Sequence, residues 1–252
     1  MKPHLQFLKK RRSGPAIPDG LRVYAIGDIH GRLDLFERLL IRIEEDTRQR
    51  GIAENLVILL GDLIDRGPDS AGVVHRAMVP LEWGRIVTLK GNHEAAMLDA
   101  LEGNSKMLRI WLRNGGREAV TSWGLDLGSE TDIDTDEVRA AVRTVIPPPQ
   151  IAWLHRLAIS LHIGDYFFVH AGVRPGVALD KLETRDALWI RDEFLTSDRS
   201  HGAIIVHGHT PRDEVEERPN RIGIDTGAYF SGRLTALALE GGHRWFLQAV
   251  AT

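Results

Sequence analysis

Five times in 252 residues, an apolar run of strand length ends in a small residue set beside Asp, Asn or His. The five stretches are Gly27-Asp28-Ile29-His30-Gly31, Gly61-Asp62-Leu63-Ile64-Asp65-Arg66-Gly67, Gly91-Asn92-His93-Glu94, His170-Ala171-Gly172 and Gly208-His209-Thr210. The second follows Leu56–Leu60, a run that reads as a buried strand bounded by turn residues. A single Gly-Asp after a strand is ordinarily a turn, and a single His is ordinarily a surface or core residue. Five such ends in order constrain the fold: it must bring these strand ends together.

The intervening sequence shows how that can happen. Val23–Ile26 is a short apolar strand, and Leu33, Leu35, Phe36, Leu39, Leu40 and Ile43 follow at helical spacing, which predicts a helix over 32–50. Pro68-Asp69-Ser70 opens a second helix, and Arg85–Leu89 is a third strand. Three βα units in succession predict parallel strands packed under helices. Residues 94–125 read as helical, with Gly115-Gly116 stopping one helix; 126–136 read as an acidic loop, and another helix follows at about 150–157. Asp132, Asp134 and Asp136 resemble a calcium loop only briefly, because Glu137 and Arg143 stand where Gly and Glu are required.

Gly164-Asp165 then joins two apolar strands as a hairpin, and strands at 203–206 and 221–224 precede a closing hairpin over 234–250. The expected architecture is an α/β (α+β) chain: a four-layer αββα sandwich of two mixed sheets flanked by helices. Nothing divides residues 21–252 into domains. Residues 1–20, rich in basic residues, Pro and Gly, read as an exposed tail.

Composition excludes several classes. With no cysteine there is neither a disulfide framework nor a thiolate metal ligand. A formal charge of −3 gives no general argument for nucleic-acid or membrane partners. No apolar run approaches the roughly 18–20 residues that span a bilayer, and Lys9-Lys10-Arg11-Arg12 is not followed by a signal core. The cytoplasm is the expected compartment.

The side chains gathered at the strand ends offer carboxylate oxygen, amide oxygen and imidazole nitrogen, without sulfur. That set suits manganese, with iron or zinc as alternatives, better than an all-oxygen calcium cage. Two divalent ions about 3.5–4 Å apart need a bridging anion, and Asp62, on the central strand end, is placed to supply it. Neutral Asn92 adds an oxygen without adding charge. Strand ends place ligands well, and the adjacent glycines permit close backbone approach. His93-Glu94-Ala95-Ala96-Met97 is not a zincin helix, because Met97 stands where the second His is needed. His75, His155, His162, His201 and His243 lack the glycine-flanked context and read as structural, and His207 reads as a supporting residue beside the ligands.

Taken together, the five motifs resemble the calcineurin-like metallophosphoesterases, and within them the bacterial and bacteriophage serine/threonine protein phosphatases. The resemblance runs from about Val23 to Leu239. It implies that Asp28 and His30 bind a first metal, that Asp62 bridges, and that Asn92, His170 and His209 complete a second. It further implies His93 as general acid, Asp65 as the carboxylate orienting it, and Arg66 and Arg191 as phosphate-binding arginines. Asp225-Thr226-Gly227-Ala228 resembles the family's closing strand, near the site without supplying a ligand. Lys90 and the His170 and His209 contexts depart from the eukaryotic pattern, which argues against eukaryotic-type regulation.

The implied activity is a two-metal phosphomonoester hydrolase acting on phosphorylated proteins or small phosphoesters, with a metal-bridging hydroxide attacking phosphorus in line. A symmetrical dinucleoside tetraphosphate hydrolase is the neighbouring alternative. That branch typically lacks the second carboxylate matched by Asp65 and carries Asp at the position of Glu94. A non-catalytic phosphate-binding scaffold is a third reading, opposed by the retention of every ligand and of the acid.

Overall fold

The structure is a computed structural model that describes residues 14–128 and 135–251. Residues 1–13 of the expected tail and 129–134 of the expected acidic loop lie outside the described residues.

The first sheet has the order β10-β9-β1-β2-β3, with β1 Leu21–Ile26, β2 Glu54–Leu59, β3 Arg85–Thr88, β9 Arg233–Glu240 and β10 His243–Val250. β1, β2 and β3 are parallel, in a register that sets Leu21 against Glu54 and Leu56 against Arg85, while β9 and β10 are antiparallel additions. The second sheet has the order β4-β5-β6-β8-β7, with β4 Ser160–Ile163, β5 Tyr166–Val169, β6 Ile204–His207, β7 Glu216–Glu217 and β8 Arg221–Gly223. Its centre, β5-β6-β8, is parallel, with β4 and β7 pairing antiparallel at the edges. Antiparallel pairing in the second half of the chain is thus confined to those edge strands and the closing hairpin.

Strand alternation builds the layers. Val23 and Ala25 of β1, Leu56 and Ile58 of β2, and Leu237 and Leu239 of β9 meet Tyr166, Phe168, Val206 and Ile222 between the two sheets. Tyr24, Ile26, Val57 and Leu59 face outward into a helical layer that includes α1 Leu33–Arg50, α2 Ser70–Met78 and α3 Asn92–Leu101. On the far side, Phe167, Val169 and Ile205 pack under Ala187, Ile190 and Phe194. Burial on both faces explains why these strands read as near-continuous apolar runs.

The helical region agrees with its sequence reading at Gly115-Gly116 and differs from it in two other places. α4 Ser105–Trp111 runs into a kink at Leu112–Gly116, where Asn114 (φ −103°) and Gly115 (φ 110°) leave helical geometry before α5 Arg117–Ser122 begins, so the glycine pair interrupts the helix as its sequence predicts. The acidic loop is shorter than expected, because α6 Thr135–Val145 begins inside it. α7 Pro148–His155 starts with proline in its first turn, where the missing N–H costs nothing.

The exposed tail is also shorter than residues 1–20. Ala16 is 6% and Ile17 1% exposed. Ala16 N donates to Asp165 Oδ2 (2.8 Å) and Ile17 N to the Gly241 carbonyl (3.0 Å), which pins this segment across the two hairpin turns. No helix among the described residues is long and apolar enough to cross a membrane.

The parallel strands β1, β2, β3, β5, β6 and β8 run toward one end of the sandwich, and all five motifs follow strands of this set. Ligand sites of open parallel sheets lie at such carboxyl ends.

Candidate active site

At that end the loops interlock through backbone bonds. Ile29 N and His30 N donate to the Asp62 carbonyl (3.1 and 2.9 Å), and Gly208 N donates to the His170 carbonyl (2.8 Å). The glycines permit approaches that no side chain would: a Cβ at Gly208 would lie 2.0 Å from Asp28 Oδ1, and one at Gly91 2.1 Å from Asp62 Oδ1.

The non-glycine residues with positive φ among the described residues are His30, Asp62, Asp65, Arg66 and His209. Each such conformation costs on the order of 1–3 kcal/mol and persists only where the surroundings impose it. All five belong to the motifs singled out from sequence.

Asp62 is the centre of the arrangement. It is buried, with Oδ2 3.6 Å from His30 Nε2 and 3.9 Å from His93 Nε2, and Oδ1 3.5 Å from His170 Nε2. Burial alone would raise its pKa, but the surrounding imidazoles, His170 foremost, hold it far below the usual carboxylate range. Two donor groups therefore share this carboxylate: His30, Asp62 and His93 form one, and Asp62, His170 and His209 the other.

The imidazoles are prepared as neutral ligands. Burial pushes His30 down to about 3, and its Nδ1 bonds the Ile64 carbonyl at 2.8 Å, leaving the Nε2 lone pair toward Asp62. His170 repeats the pattern, with burial lowering its pKa and Nδ1 on the Leu60 carbonyl at 3.0 Å. A ring nitrogen that donates to a carbonyl fixes the tautomer and leaves the other nitrogen free to coordinate.

Around His170 Nε2 the donors converge: Asn92 Oδ1 lies at 2.9 Å and His209 Nδ1 at 3.2 Å. Burial pushes His209 down to about 2, so both rings are neutral at neutral pH, each keeping a single N–H, which His170 directs to the Leu60 carbonyl. Lone pairs on Asn92, His170 and Asp62 face one another, joined by that of His209 Nδ1 when its proton is on Nε2, and a divalent cation would satisfy them together. The residues fit a metal on this side. Near His30, Arg66 Nη1 donates to Nε2 at 2.8 Å, a bond that coordination by this nitrogen would replace.

Asp28 lies against the His209 backbone. Its carboxylate accepts the His209 N–H (3.1 and 3.0 Å), and it belongs to neither donor group above. Burial, then the neighbouring Asp225 and Asp62, push its pKa well up. Such crowding of buried carboxylates is relieved by bound cations. Asp225 is buried and accepts Gly227 N at 2.9 Å; its stretch is a loop between β8 and the helical turn Ala228–Ser231 rather than the expected strand.

His93 Nδ1 lies 2.5 Å from Asp65 Oδ2. Burial opposes protonation of His93, but Asp62 and Asp65 together hold its pKa above the ordinary imidazole value. Arg191 follows α8 Thr184–Trp189 as an exposed residue, close enough for its charge to help lower His170 and His209. His207 is buried against Phe194, ring centroids 5.0 Å apart, with Nδ1 toward the Gly208 carbonyl at 3.0 Å; it is in neither donor group.

Three residues escaped the sequence reading. Glu94 is fully buried, and its carboxylate accepts Gly91 N (2.8 Å), Asp62 N (3.0 Å), Leu63 N (2.8 Å) and Ile64 N (3.3 Å). Burial and Asp62 push it up to about 7 against the pull of these N–H groups; because all four partners are donors, the geometry holds the ionised form. Trp111 donates its indole N–H to Asp65. Tyr229 lies under the Arg66 guanidinium at 4.8 Å and edge-on to His30 at 5.4 Å. A glutamate three residues into a helix signals a capping role, but nothing local marks the tryptophan or the tyrosine.

The sequence profile of the calcineurin-like phosphoesterase family matches residues 21–237. A serine/threonine-protein phosphatase 1 of Salmonella typhimurium is 28% identical over 225 residues, spanning 86% of this chain and 92% of that protein. An asymmetrical bis(5'-nucleosyl)-tetraphosphatase of Oceanobacillus iheyensis is 27% identical over 237 residues, spanning 86% and 88%. The crystal structure of a provisionally named diadenosine tetraphosphatase superposes with a TM-score of 0.65 at 21% identity, over 95% of this chain and 100% of that one.

Proposed function

The chain belongs to the calcineurin-like phosphoesterase family, and from that premise we propose that it hydrolyses phosphomonoesters with two divalent metal ions, acting on phosphoserine and phosphothreonine of cytoplasmic proteins. The observation that carries the reading is the sharing of one buried carboxylate, Asp62, by two groups of imidazoles. Manganese is the proposed metal, on the mixed oxygen and nitrogen donor set, with iron and zinc as alternatives.

In this proposal Asp28 and His30 hold the first ion, Asp62 both, and Asn92, His170 and His209 the second. Bound there, the ions would acidify a water molecule and offset charge on the phosphoryl oxygens. The protein groups divide the remaining tasks. Arg66 and Arg191 hold the non-bridging phosphate oxygens by charge-assisted hydrogen bonds. Tyr229, against the Arg66 guanidinium, limits where that side chain can swing. His93 delivers a proton from Nε2 to the leaving oxygen, with its Nδ1 held by Asp65.

Dinucleoside tetraphosphates are the second reading, favoured by relatives named asymmetrical bis(5'-nucleosyl)-tetraphosphatases over a similar share of the chain and by symmetrical ones over 62% of it. Asp65 and Glu94 support the phosphomonoesterase reading, because both are built into the network around Asp62 rather than merely present in the sequence. The deciding experiment takes metal-stripped protein, titrates manganese, and follows p-nitrophenyl phosphate, a phosphothreonine peptide and a dinucleoside tetraphosphate. Manganese-dependent turnover of both phosphomonoesters supports the proposal. A clear preference for the tetraphosphate refutes it.

A further inference from the structure

The kink at Leu112–Gly116 lies against Asp65 and Arg66. Arg66 N donates to the Gly115 carbonyl at 3.2 Å, and a Cβ at Gly115 would lie 2.5 Å from Arg66 N and 3.0 Å from Asp65 Cβ. One residue before the kink stands Trp111, only 1% exposed. Its Nε1 points at both carboxylate oxygens of Asp65, 3.0 Å from Oδ1 and 2.9 Å from Oδ2. Asp65 Oδ2 is also the oxygen that meets His93 Nδ1, and Asp65 N is fixed by Ser70 Oγ at 2.9 Å. The kink and the helix end before it thus set a glycine and a tryptophan against the consecutive site residues Asp65 and Arg66.

An indole N–H is a donor without acceptor capacity. Forked across a buried carboxylate, it is satisfied by the ionised acceptor and leaves the carboxylate one further strong direction, toward His93. The imidazole proton at Nδ1 then faces Asp65, which turns Nε2 toward Asp62 and the reacting centre. A benzene ring in the same place would fill the volume without fixing the carboxylate.

We propose that Trp111 is a positioning residue for proton delivery: through Asp65 it fixes the His93 imidazole, so that esters with poor leaving groups, the alkyl phosphates of phosphoserine and phosphothreonine, depend on it far more than aryl phosphates do. This rests on the function proposed above. In the step concerned, water forms the new bond to phosphorus and the bond to the ester oxygen breaks. The electron pair of that bond stays on the leaving oxygen, which takes the proton from His93 Nε2, and the imidazole regains a proton from water. A nitrophenolate leaves without that proton, whereas a threonine alkoxide does not.

The test is Trp111→Phe in the full-length, manganese-loaded protein, with kcat and KM measured on a phosphothreonine peptide and on p-nitrophenyl phosphate. General acids contribute roughly 10²–10⁴-fold, so disturbing one through its support should lower kcat on the peptide by about 10–100-fold. The loss on p-nitrophenyl phosphate should be at least about tenfold smaller, with KM for the peptide and metal content as in the wild type. In an Asp65→Asn background the substitution should add no further discrimination between the two substrates, because both changes act through the same pair.

Should Trp111→Phe fold poorly, benzothienylalanine at position 111 keeps the bicyclic shape without the donor and should give the same discrimination. Equal losses on the two substrates, or no loss on either, would overturn the role of Trp111. A wild-type protein that turns over neither phosphoester would instead overturn the reading beneath it.

Discussion

Replacing Glu94 by glutamine changes one atom and leaves the volume intact, yet it should loosen the whole Asp62 loop. The wild-type carboxylate accepts four backbone N–H groups, Leu63 and Ile64 on Oε1 and Gly91 and Asp62 on Oε2. Whichever way the new side-chain amide turns, its NH₂ meets two of those donors. Each buried N–H deprived of an acceptor costs about 1–3 kcal/mol, so the pair should cost about 4 kcal/mol. For a chain of this size about 1 kcal/mol corresponds to 2–4 °C, which puts the expected fall in Tm at roughly 10 °C. The backbone of Asp62 sits at φ 48°, a conformation the clamp helps to impose, so metal retention should fall along with stability. Thermal unfolding by circular dichroism at pH 8, above the raised pKa of about 7, keeps the wild-type Glu94 ionised. Metal content is measured on the same samples. Glu45→Gln, on the exposed face of α1, is the control and should move stability by less than about 0.5 kcal/mol. A Glu94→Gln protein melting within about 2 °C of the wild type with full metal content would refute the clamp.

Asp62→Asn should lose metal as well as turnover, since it removes the charge common to both donor groups; mass spectrometry of the purified variant reads this directly, and full metal content would contradict the shared role. His93→Asn should lower turnover of a phosphothreonine peptide by about 10²–10⁴-fold while metal content holds, and loss of metal would make His93 a ligand instead of the acid. Arg191→Ala should weaken competitive inhibition by inorganic phosphate, and an unchanged inhibition constant would remove this exposed residue from the site.

The glycine-flanked motifs were legible because their grammar is local. An apolar run of strand length, a glycine able to tolerate close approach and a metal-compatible side chain all lie within a few positions of one another. The helical partners were not legible for the same reason. Trp111 and Asp65 are 46 residues apart, and Glu94 reaches donors 30–32 residues earlier. On its own helix each looks like an ordinary residue. Gly115-Gly116 interrupts the helix as glycine's usual meaning predicts, but the close approach to Arg66 N that accompanies the positive φ at Gly115 is a tertiary contact no local pattern shows. The exposed tail was misjudged at Ala16 and Ile17 because two hairpin turns, distant in sequence, supply their backbone partners.

By itself, then, the sequence determined the alternation of strands and helices, the set of chemically capable residues, and their placement at strand ends, because strand period, turn chemistry and donor type are properties of neighbouring residues. Only the tertiary structure decided that β5, β6 and β8 run parallel, that Asp62 stands between His30 and His170, that Asp28 accepts the His209 amide, and that a glutamate gathers the N–H groups of the Asp62 loop while a tryptophan donates to Asp65. Those outcomes depend on which distant backbones are pressed together when both sheets bury their shared face, and the loss of water there is what makes every unpaired donor and every lone pair count.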